Sequence, residues 1–343
     1  MRAQPSRRAL LAGIAGGALA CEYATRAGAA AADAFYRGKT LNVIVGFAPG
    51  GGVDTTSRVV ASHLARFIPG APRVIAQNME GAAGVIASNY LYQRVPPDGL
   101  TIGVPGRSWF IEGAIKTPGV RFDPTKFGYI GSPGAVNSVV YLRSSTGIKN
   151  FAELKASRRV LSFGALGNLT ATAMVPFMLA AHGLPIKVVV GYVSSARIIV
   201  ALEQGEVDGF FTVEASFGLR QDLVEKKIII PILQNKPVHA GVPLLGDVLP
   251  PSDGPLLTLV MAMESFGLPI IGPPGMPAER LDILRKAFLT MCGDRQYRAD
   301  AVKADLPVGN PLGGPQLATM MNELVATATP EIIARYKRLG TPA

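Results

Sequence analysis

Short apolar runs with strand character alternate with helical patterns along most of this 343-residue chain. In the first helical pattern, Val60, Leu64 and Phe67 fall on one face of a helix. Consecutive strands separated by helices usually pair in parallel, because a parallel pair needs a long crossover connection. The alternation therefore predicts an α/β protein with mostly parallel sheets covered by helices. The predicted strands are residues 40–47, 72–78, 100–104, 138–142, 159–164, 186–191, 207–211 and 227–233.

The last quarter of the chain has a different pattern. Strand character resumes near residues 255–263, and the remainder is predicted to be helical over residues 277–290, 294–303 and 316–338. About 310 residues would follow an export signal, which is long for a single hydrophobic core and typical of two domains. Further helices are predicted near residues 170–182, 194–204 and 214–225.

Residues 1–32 have the pattern of an export signal. A basic segment precedes an apolar run, residues 9–20, that is too short to span a membrane. The Arg7–Arg8 pair also fits a twin-arginine signal, so the general secretory route and the twin-arginine route both stay open. We expect cleavage after Ala32 and a periplasmic mature protein. Cys21 lies in a poor context for lipid attachment, and we expect no lipid anchor there.

The charge and the cysteine content narrow the classes of function. The net charge is +10, and loss of residues 1–32 would reduce it to about +7. The basic residues are scattered, without a motif of interleaved aromatic residues, so we expect no nucleic-acid partner. A mild positive field in an exported protein favours small anions as ligands. Only Cys292 would remain after cleavage, which excludes an intrachain disulfide.

A glycine-rich turn joins the first predicted strand to the helix that follows, in the segment "GFAPGGGVD". It lacks the Lys-Ser/Thr of a Walker A loop and the spacing of a dinucleotide-binding fingerprint, so we expect no nucleotide cofactor. Backbone N–H groups at such a turn and helix start can hold a carboxylate or a phosphate. A merely tight turn, and a plain N-cap role for the aspartate, stay open as alternatives. The candidate ligand-binding residues are Phe47, Ala48, Pro49, Gly50, Gly51, Gly52 and Asp54.

A second turn of the same kind lies in the other half of the chain, in the segment "SFGALGNLTATAM". Hydroxyl groups and free N–H groups at this helix start could bind the other end of an anionic ligand, although a start rich in Ser and Thr is often only a cap. Two such turns that face one cleft would enclose a ligand from both sides. The candidates here are Ser162, Gly164, Gly167, Asn168 and Thr170.

Several motifs in one order carry a resemblance to a known family. The segments "FAPGGGVDTTSRVVASHL" and "VIAQNMEGAAGVIASNYLYQRVPPDGLTIG" resemble the solute receptors of tripartite tricarboxylate transporters, also called the Bug family. A weaker match follows in "GYVSSARIIVALEQGEVDGFF". The resemblance covers nearly all of residues 36–338. The matched motif residues beyond the first turn are Asn78, Gly81, Ala82, Gly84, Pro97, Asp98, Gly99 and Thr101.

The resemblance implies a periplasmic binding protein of type II, with two lobes between which the chain crosses twice. It places lobe 1 at residues 33–136 and 257–343, and lobe 2 at residues 137–256. It implies capture of a small organic carboxylate in the cleft between the lobes and delivery to the permease subunits of a membrane transporter. In the second lobe it adds Asp208 to the ligand contacts. We expect no cofactor and no bound metal, and we expect the protein to act as a monomer.

This chain departs from the family pattern at three places. The loop "GNLTATAM" lacks the histidine common there, and Ser195 stands near an expected glycine. In "PGRSWF", Arg107 and Trp109 follow a predicted strand, where ligands bind in open α/β sheets. Arg107 could pair bidentately with a carboxylate and Trp109 could stack on a planar ligand. A surface arginine beside a half-buried tryptophan is the alternative.

The sequence also bears on two other functions, an enzyme and a signalling receptor. An enzyme is disfavoured because His63, His182 and His239 lie far apart in sequence, without metal-ligand spacing. The chain also lacks a G-x-S-x-G nucleophile motif. A receptor that passes its ligand state to a signalling partner requires no different site, and it stays open as the alternative.

Overall fold

The structure is a computed structural model that describes residues 35–50, 52–192, 195–213, 220, 222–304, 306 and 309–341. The predicted export signal with Cys21, and the candidate residue Gly51, therefore lie outside the described residues.

Within these ranges, strands and helices alternate up to the second sheet and helices dominate the carboxyl-terminal part. The strands are β1 (Thr40–Val45), β2 (Arg73–Asn78), β3 (Thr101–Val104), β4 (Gly128–Ser132), β5 (Ser138–Arg143), β6 (Leu161–Ala165), β7 (Ile186–Val190), β8 (Gly209–Val213), β9 (Ile229–Gln234), β10 (Ile270–Gly272) and β11 (Leu312–Gly313). The helices are α1 (Gly52–Leu64), α2 (Val85–Gln93), α3 (Trp109–Ala114), α4 (Phe151–Ala156), α5 (Ala171–Ala181), α6 (Ser195–Gln204), α7 (Asp222–Glu225), α8 (Leu245–Val248), α9 (Gly254–Val260), α10 (Ala262–Phe266), α11 (Ala278–Gly293), α12 (Arg295–Lys303), α13 (Gly314–Thr327) and α14 (Pro330–Leu339).

The first sheet has the strand order β11-β4-β10-β3-β1-β2. Its strands β2, β1 and β3 pair in parallel, so their carboxyl ends lie at one edge. The strand β1 is buried on both faces, because Val43 belongs to the core cluster that contains Val60 and Phe288, whereas Ile44 belongs to a different cluster that contains Leu91. This double burial explains the nearly continuous apolar run from which the strand was predicted.

The second sheet has the strand order β7-β6-β8-β5-β9. Strands β7, β6 and β8 pair in parallel, whereas β5 runs antiparallel to both β8 and β9. One hydrophobic cluster is continuous between the two sheets, since it contains Ile44 and Phe110 from the first and Phe163 and Met174 from the second.

The chain passes from the first sheet to the second between Ser132 and Ser138 and returns between Gln234 and Ile270. These two crossings, with helices on both sheets, confirm the predicted α/β architecture. Both sheets are mixed, however, because β10 and β11 in the first sheet and β5 and β9 in the second pair antiparallel.

The prediction of a strand near residues 255–263 is wrong. This segment forms the helices α9 and α10. Leu256, Leu259 and Val260 are buried at helical spacing, and Pro255 stands in the first turn, where proline is tolerated. The segment was mistaken for a strand because its apolar residues are nearly continuous, which does not distinguish a buried strand from a buried helix.

Three strands of the first sheet were not predicted: β4, β10 and β11. They are two to five residues long and contain glycine. In β4 the glycine has a packing reason, because a Cβ atom at Gly131 would overlap the ring of Phe288. Within the described ranges, no helix is both long enough and apolar enough to cross a membrane.

Candidate functional site

The first glycine-rich turn lies at the carboxyl edge of the first sheet, between β1 and α1. Ala48, Pro49 and Gly50 are exposed, and Gly50 has a φ of +83°, which favours glycine. The turn starts in close contact with the loop that follows β3, because a Cβ atom at Gly46 would overlap the carbonyl oxygen of Pro105. Phe47 is half-buried at the start of this exposed turn, and Gly52 opens the helix.

Asp54 is tied to this turn by its side chain. It is only 3% exposed, and its Oδ2 accepts hydrogen bonds from the Gly50 N–H and from Arg58 Nε, both at 2.9 Å. Asn78 Nδ2 donates at 2.8 Å to Asp54 Oδ1 and to the Phe47 carbonyl oxygen. The Arg58 hydrogen bond is the main reason why the pKa of Asp54 falls to about 2. Asp54 therefore acts as an internal brace of the turn, and the Gly50 N–H is not free for a ligand.

A second loop at the same edge follows β2. Four consecutive residues have positive φ angles: Gly81 at 131°, Ala82 at 46°, Ala83 at 52° and Gly84 at 93°. For the two alanines this conformation costs about 1–2 kcal/mol each. Gly84 is needed because a Cβ atom there would overlap the Pro105 carbonyl oxygen. The sequence matched this segment only as a family motif, and the structure places it against the loop after β3.

Arg107 lies in that third loop, after β3. Its neighbour Gly106 has a φ of +121°, and a Cβ atom there would overlap the ring of Phe47. The loops that follow β1, β2 and β3 are thus packed together at one sheet edge, where ligands bind in open α/β proteins. Arg107 is half-buried, and burial lowers the pKa of its guanidinium. Within the described residues, no side chain or carbonyl group forms a hydrogen bond with that guanidinium.

Trp109 lies in the core. It is 0% exposed and contacts Phe110, Phe122 and Phe127 at ring-centroid distances of 5.7, 5.6 and 5.2 Å. It has no open face on which a ligand could stack, so the stacking role is not supported. Arg107 is half-buried in the loop, whereas Trp109, two residues later, begins α3 with its side chain buried in the core.

Ser162 and Asp208 lie at the opposite edge of the second sheet from the predicted site. Ser162 is near the amino end of β6 and Asp208 immediately precedes β8, which runs parallel to it. Asp208 Oδ2 accepts from the Ser162 N–H at 2.9 Å, and its Oδ1 accepts from Arg159 at 2.6 Å. The structure therefore separates this pair from the carboxyl-edge loops, and both side chains brace the sheet.

The loop after β6, residues 166–170, is at the carboxyl edge of the second sheet. Thr170 Oγ1 donates to the Gly167 carbonyl oxygen at 2.6 Å and lies 2.6 Å from Thr172 Oγ1, so these hydroxyls are used within the turn. Gly164 has a packing reason, because a Cβ atom there would lie 2.6 Å from Ile198 Cγ2.

Asn168 differs from its neighbours in this loop, because its Oδ1 is buried without a hydrogen-bond partner in the described structure.

Tyr336 of α14 contacts the loop at the carboxyl edge of the second sheet. Its hydroxyl donates to the Leu169 carbonyl oxygen at 3.1 Å, in the loop of the second sheet. Burial raises its pKa to about 12, and the charges of Glu112 and Glu264 contribute to the increase. Glu264 also acts electrostatically on Arg107, in the loop of the first sheet. The hydrogen bond of Tyr336 thus joins α14 to the loop 166–170.

Glu264 is the residue that the sequence interpretation missed. It is 8% exposed in α10, and burial raises its pKa to about 7, against the opposing effect of Arg107. A single acid in the apolar segment "LTLVMAMESFG" is an available signal, because charged residues are seldom buried unless they are paired. The wrong strand prediction for this segment hid it.

Two surface grooves lie elsewhere. One, of about 570 Å³, is formed by α5, α9 and α14 and contains His182, Asp253 and Arg335. The other, of about 360 Å³, is formed around α9, α10 and α13. Neither contains the loops after β1, β2, β3 or β6. Within the described residues, no group of three metal-ligating side chains is present.

No protein-family model matches the chain. Two curated relatives do, both described as UPF0065 proteins. One, from Pseudomonas sp. strain P51, is 27% identical over 57% of this chain and 58% of its own length. The other, from Cupriavidus necator, is 28% identical over 46% of this chain and 48% of its own length. The chain thus spans about half the length of the curated relatives that it matches.

Solved structures match over most of the chain. A TctC solute binding protein from Polaromonas has a TM-score of 0.68 and 15% identity, over 89% of this chain and 98% of its own. An R. palustris protein with adipate has a TM-score of 0.54 and 19% identity, over 88% and 96%. The periplasmic binding protein BugD has a TM-score of 0.52 and 18% identity, over 89% and 99%. At these identities the likeness shows the fold. The structures and the UPF0065 relatives together confirm the resemblance to the Bug family.

Proposed function

We propose that this chain is an extracytoplasmic solute receptor that binds a small organic carboxylate between two lobes. The single observation that best supports this function is the close packing of three loops, after β1, β2 and β3, at Pro105 and Gly106, next to the half-buried Arg107. The loop 166–170, which Tyr336 contacts, would supply the ligand contacts of the second sheet. Lobe 1 would comprise residues 33–136 and 257–343, and lobe 2 residues 137–256.

The charge distribution of the region favours an anionic ligand. The Arg107 guanidinium, which has no hydrogen-bond partner in the described part of the chain, can form two parallel hydrogen bonds with a carboxylate. The amino end of α1 starts at the first turn and adds partial positive charge there. The adipate bound by one structural neighbour has the chemistry that this arrangement suits. Phe47, Ala48 and Pro49 would cover the ligand at the exposed side of the turn.

Hydrogen bonds would supply a large part of the binding free energy. Charge-assisted hydrogen bonds contribute about 1.5–3 kcal/mol each, so three or four of them contribute about 4.5–12 kcal/mol before the cost of association. Micromolar affinity requires roughly −8 kcal/mol, so apolar contacts with the ligand would supply the remainder. A ligand that contacts both lobes would also favour a closed arrangement of the lobes over an open one. Periplasmic export and delivery to the permease subunits of a tripartite tricarboxylate transporter complete the proposal.

A thermal-shift screen tests the binding class. The exported protein is screened against carboxylates, phosphates and nucleotides, and a carboxylate at 100 times its dissociation constant should stabilise it by about 2.7 kcal/mol. The Arg107→Gln variant should lose this shift, while Arg94→Gln, on the surface beyond α2, should keep it. A shift with nucleotides alone would contradict the proposal and favour an enzyme.

A further inference from the structure

Strand β7 is the terminal strand of the second sheet and has an open edge. It pairs in parallel with β6 on one side, and within the described residues no strand lies on its other side. Its sequence, IKVVV, is apolar except for Lys187, and Val189 and Val190 are 36% and 40% exposed. Such an edge pairs readily with a further strand, because its outward N–H and C=O groups can extend the ladder of hydrogen bonds.

The other edge strands of the two sheets have features that disfavour such pairing. β2 has exposed polar side chains at Arg73 and Gln77 and ends in Asn78. β9 contains Pro231, which has no N–H group to donate. β11 is two residues long. β7 differs from all three, because it is five residues long, largely apolar and without proline.

The register of β7 shows which of its backbone groups face away from β6. The Leu161 N–H donates to the Pro185 carbonyl oxygen at 2.7 Å, and Leu161 is the register partner of Ile186. In a parallel pair, the residues on either side of such a register partner bond to the neighbouring strand, and the alternate residues point the other way. The backbone groups of Ile186, Val188 and Val190 therefore face away from β6.

We propose that β7 of a second copy of this chain pairs with this edge, antiparallel to it and with Val188 on the two-fold axis. Val188 is the middle residue of the strand, so the two Val188 residues would exchange their N–H···O=C hydrogen bonds. The Val190 N–H would donate to the Ile186 carbonyl oxygen of the second copy. A register centred on Ile186 is disfavoured, because the Ile186 N–H already donates to the Leu184 carbonyl oxygen at 2.8 Å.

The side chains of β7 are self-complementary in this register, which is why the partner is inferred to be a second copy. Lys187 would lie directly across from Val189 of the second copy, in a pair without backbone hydrogen bonds, where side chains approach most closely. The two Lys187 ammonium groups would therefore not face each other, and each aliphatic stem would cover an exposed valine. A self-complementary contact of this kind generates a two-fold dimer.

Sedimentation equilibrium of the exported protein tests the dimer. Two paired five-residue strands bury a small area, so we expect a weak dimer that forms between micromolar and sub-millimolar protein concentration. The average mass should rise over this range from that of one chain toward that of two. This dimer would replace the monomer that was expected from the sequence.

Val188→Pro removes a donor that the proposed pairing requires. The Val188 N–H faces away from β6, so proline at this position of an edge strand leaves the pairing with β6 intact. We expect the dissociation constant of the dimer to increase about tenfold or more. Thermal unfolding of the variant shows whether the fold is retained.

Two charge variants test the register without a change in the backbone. Val189→Glu places a carboxylate across from Lys187 of the second copy, twice in the dimer, and should lower the dissociation constant about threefold to tenfold. Val189→Lys places like charges there and should raise it by about the same factor. The matched control is Val302→Lys, at an exposed valine of α12, which should leave the dissociation constant within about twofold of wild type.

Three outcomes would overturn the proposal. The first is a wild-type protein that stays monomeric up to sub-millimolar concentration. The second is a dimer that a folded Val188→Pro variant leaves intact. The third is a shift of the dissociation constant in the same direction by Val189→Glu and Val189→Lys, and this comparison decides the matter if Val188→Pro does not fold.

Discussion

Asp54 and Asp208 are two buried aspartates that have similar hydrogen-bond partners but lie at opposite edges of their sheets. Asp54 is 3% exposed and Asp208 is 7% exposed, and each accepts a backbone N–H and an arginine. Asp54 lies at the carboxyl edge of the first sheet, where it orders the turn after β1. Asp208 lies at the amino edge of the second sheet. Their hydrogen bonds therefore do not distinguish the two aspartates, whereas their sheet edges do, because ligands of open α/β proteins bind at the carboxyl edge.

The largest expected effect on binding is that of Asp54→Ala. This change leaves the Gly50 N–H, Asn78 and Arg58 without their shared acceptor, so the turn loses its fixed shape. We expect the affinity for the carboxylate identified by the thermal-shift screen to fall by about 30-fold to 100-fold, or 2–3 kcal/mol. Calorimetric titration measures it, and an unchanged affinity would remove the first turn from the site.

Asp208→Ala is the matched change at the other edge. It leaves the Ser162 N–H unpaired in the sheet, so the free energy of unfolding should fall by about 1–2 kcal/mol. The ion pair itself adds little, because the Arg159 side chain is 59% exposed. Affinity should stay within about twofold of wild type, because the residue is remote from the carboxyl-edge loops. Denaturant unfolding and titration on the same protein test both parts. A large loss of affinity with unchanged stability would restore Asp208 to the ligand site.

The main strands and the first glycine turn were predictable from the sequence, but the burial and contacts of individual side chains were not. Apolar runs located β1, β2 and β3 within about two residues. For β1 and β3 the reason is burial in a parallel region, whereas β2 is an edge strand without a fully buried residue. A continuous apolar run also misled the interpretation of α9 and α10. Ser162 was grouped with Thr170 because they are close in sequence, although β6 separates them along its length. The burial of Trp109 and Glu264 depends on packing between distant segments, which no local pattern contains.

The pH dependence of stability distinguishes the Asp54 network in a further way. Hydrogen bonding, led by Arg58, lowers the Asp54 pKa to about 2 from an ordinary value of 3.8. A lowered pKa stabilises the folded state above the unfolded-state value, and the contribution disappears as the pH falls from about 4 to 2. We expect the free energy of unfolding of wild type to exceed that of Asp54→Asn by about 1–2 kcal/mol at pH 6. This range allows for solvent screening by the half-exposed Arg58.

Acid unfolding of wild type, Asp54→Asn and Arg58→Gln tests this expectation. The difference in the free energy of unfolding between wild type and Asp54→Asn should decrease steadily below pH 4. Arg58→Gln should raise the Asp54 pKa toward its ordinary value and so lose most of the advantage at pH 6. A difference that is the same at pH 6 and at pH 2 would show that the effect of Asp54 does not come from its charge.

The smallest expected effect is that of Ser162→Ala, and it is the most direct test of which edge binds the ligand. The Ser162 N–H remains bonded to Asp208, and only two hydroxyl contacts of 3.2 Å are lost. Stability should fall by about 0.5–1 kcal/mol with no change in affinity. Thr170→Val removes a hydroxyl at the other end of the same strand-and-loop unit, where it bonds to Gly167 at 2.6 Å. There the loss should weaken binding severalfold, because the loop that contains Asn168 is loosened. If Ser162→Ala weakened binding more than Thr170→Val did, the ligand would lie at the amino edge of the second sheet.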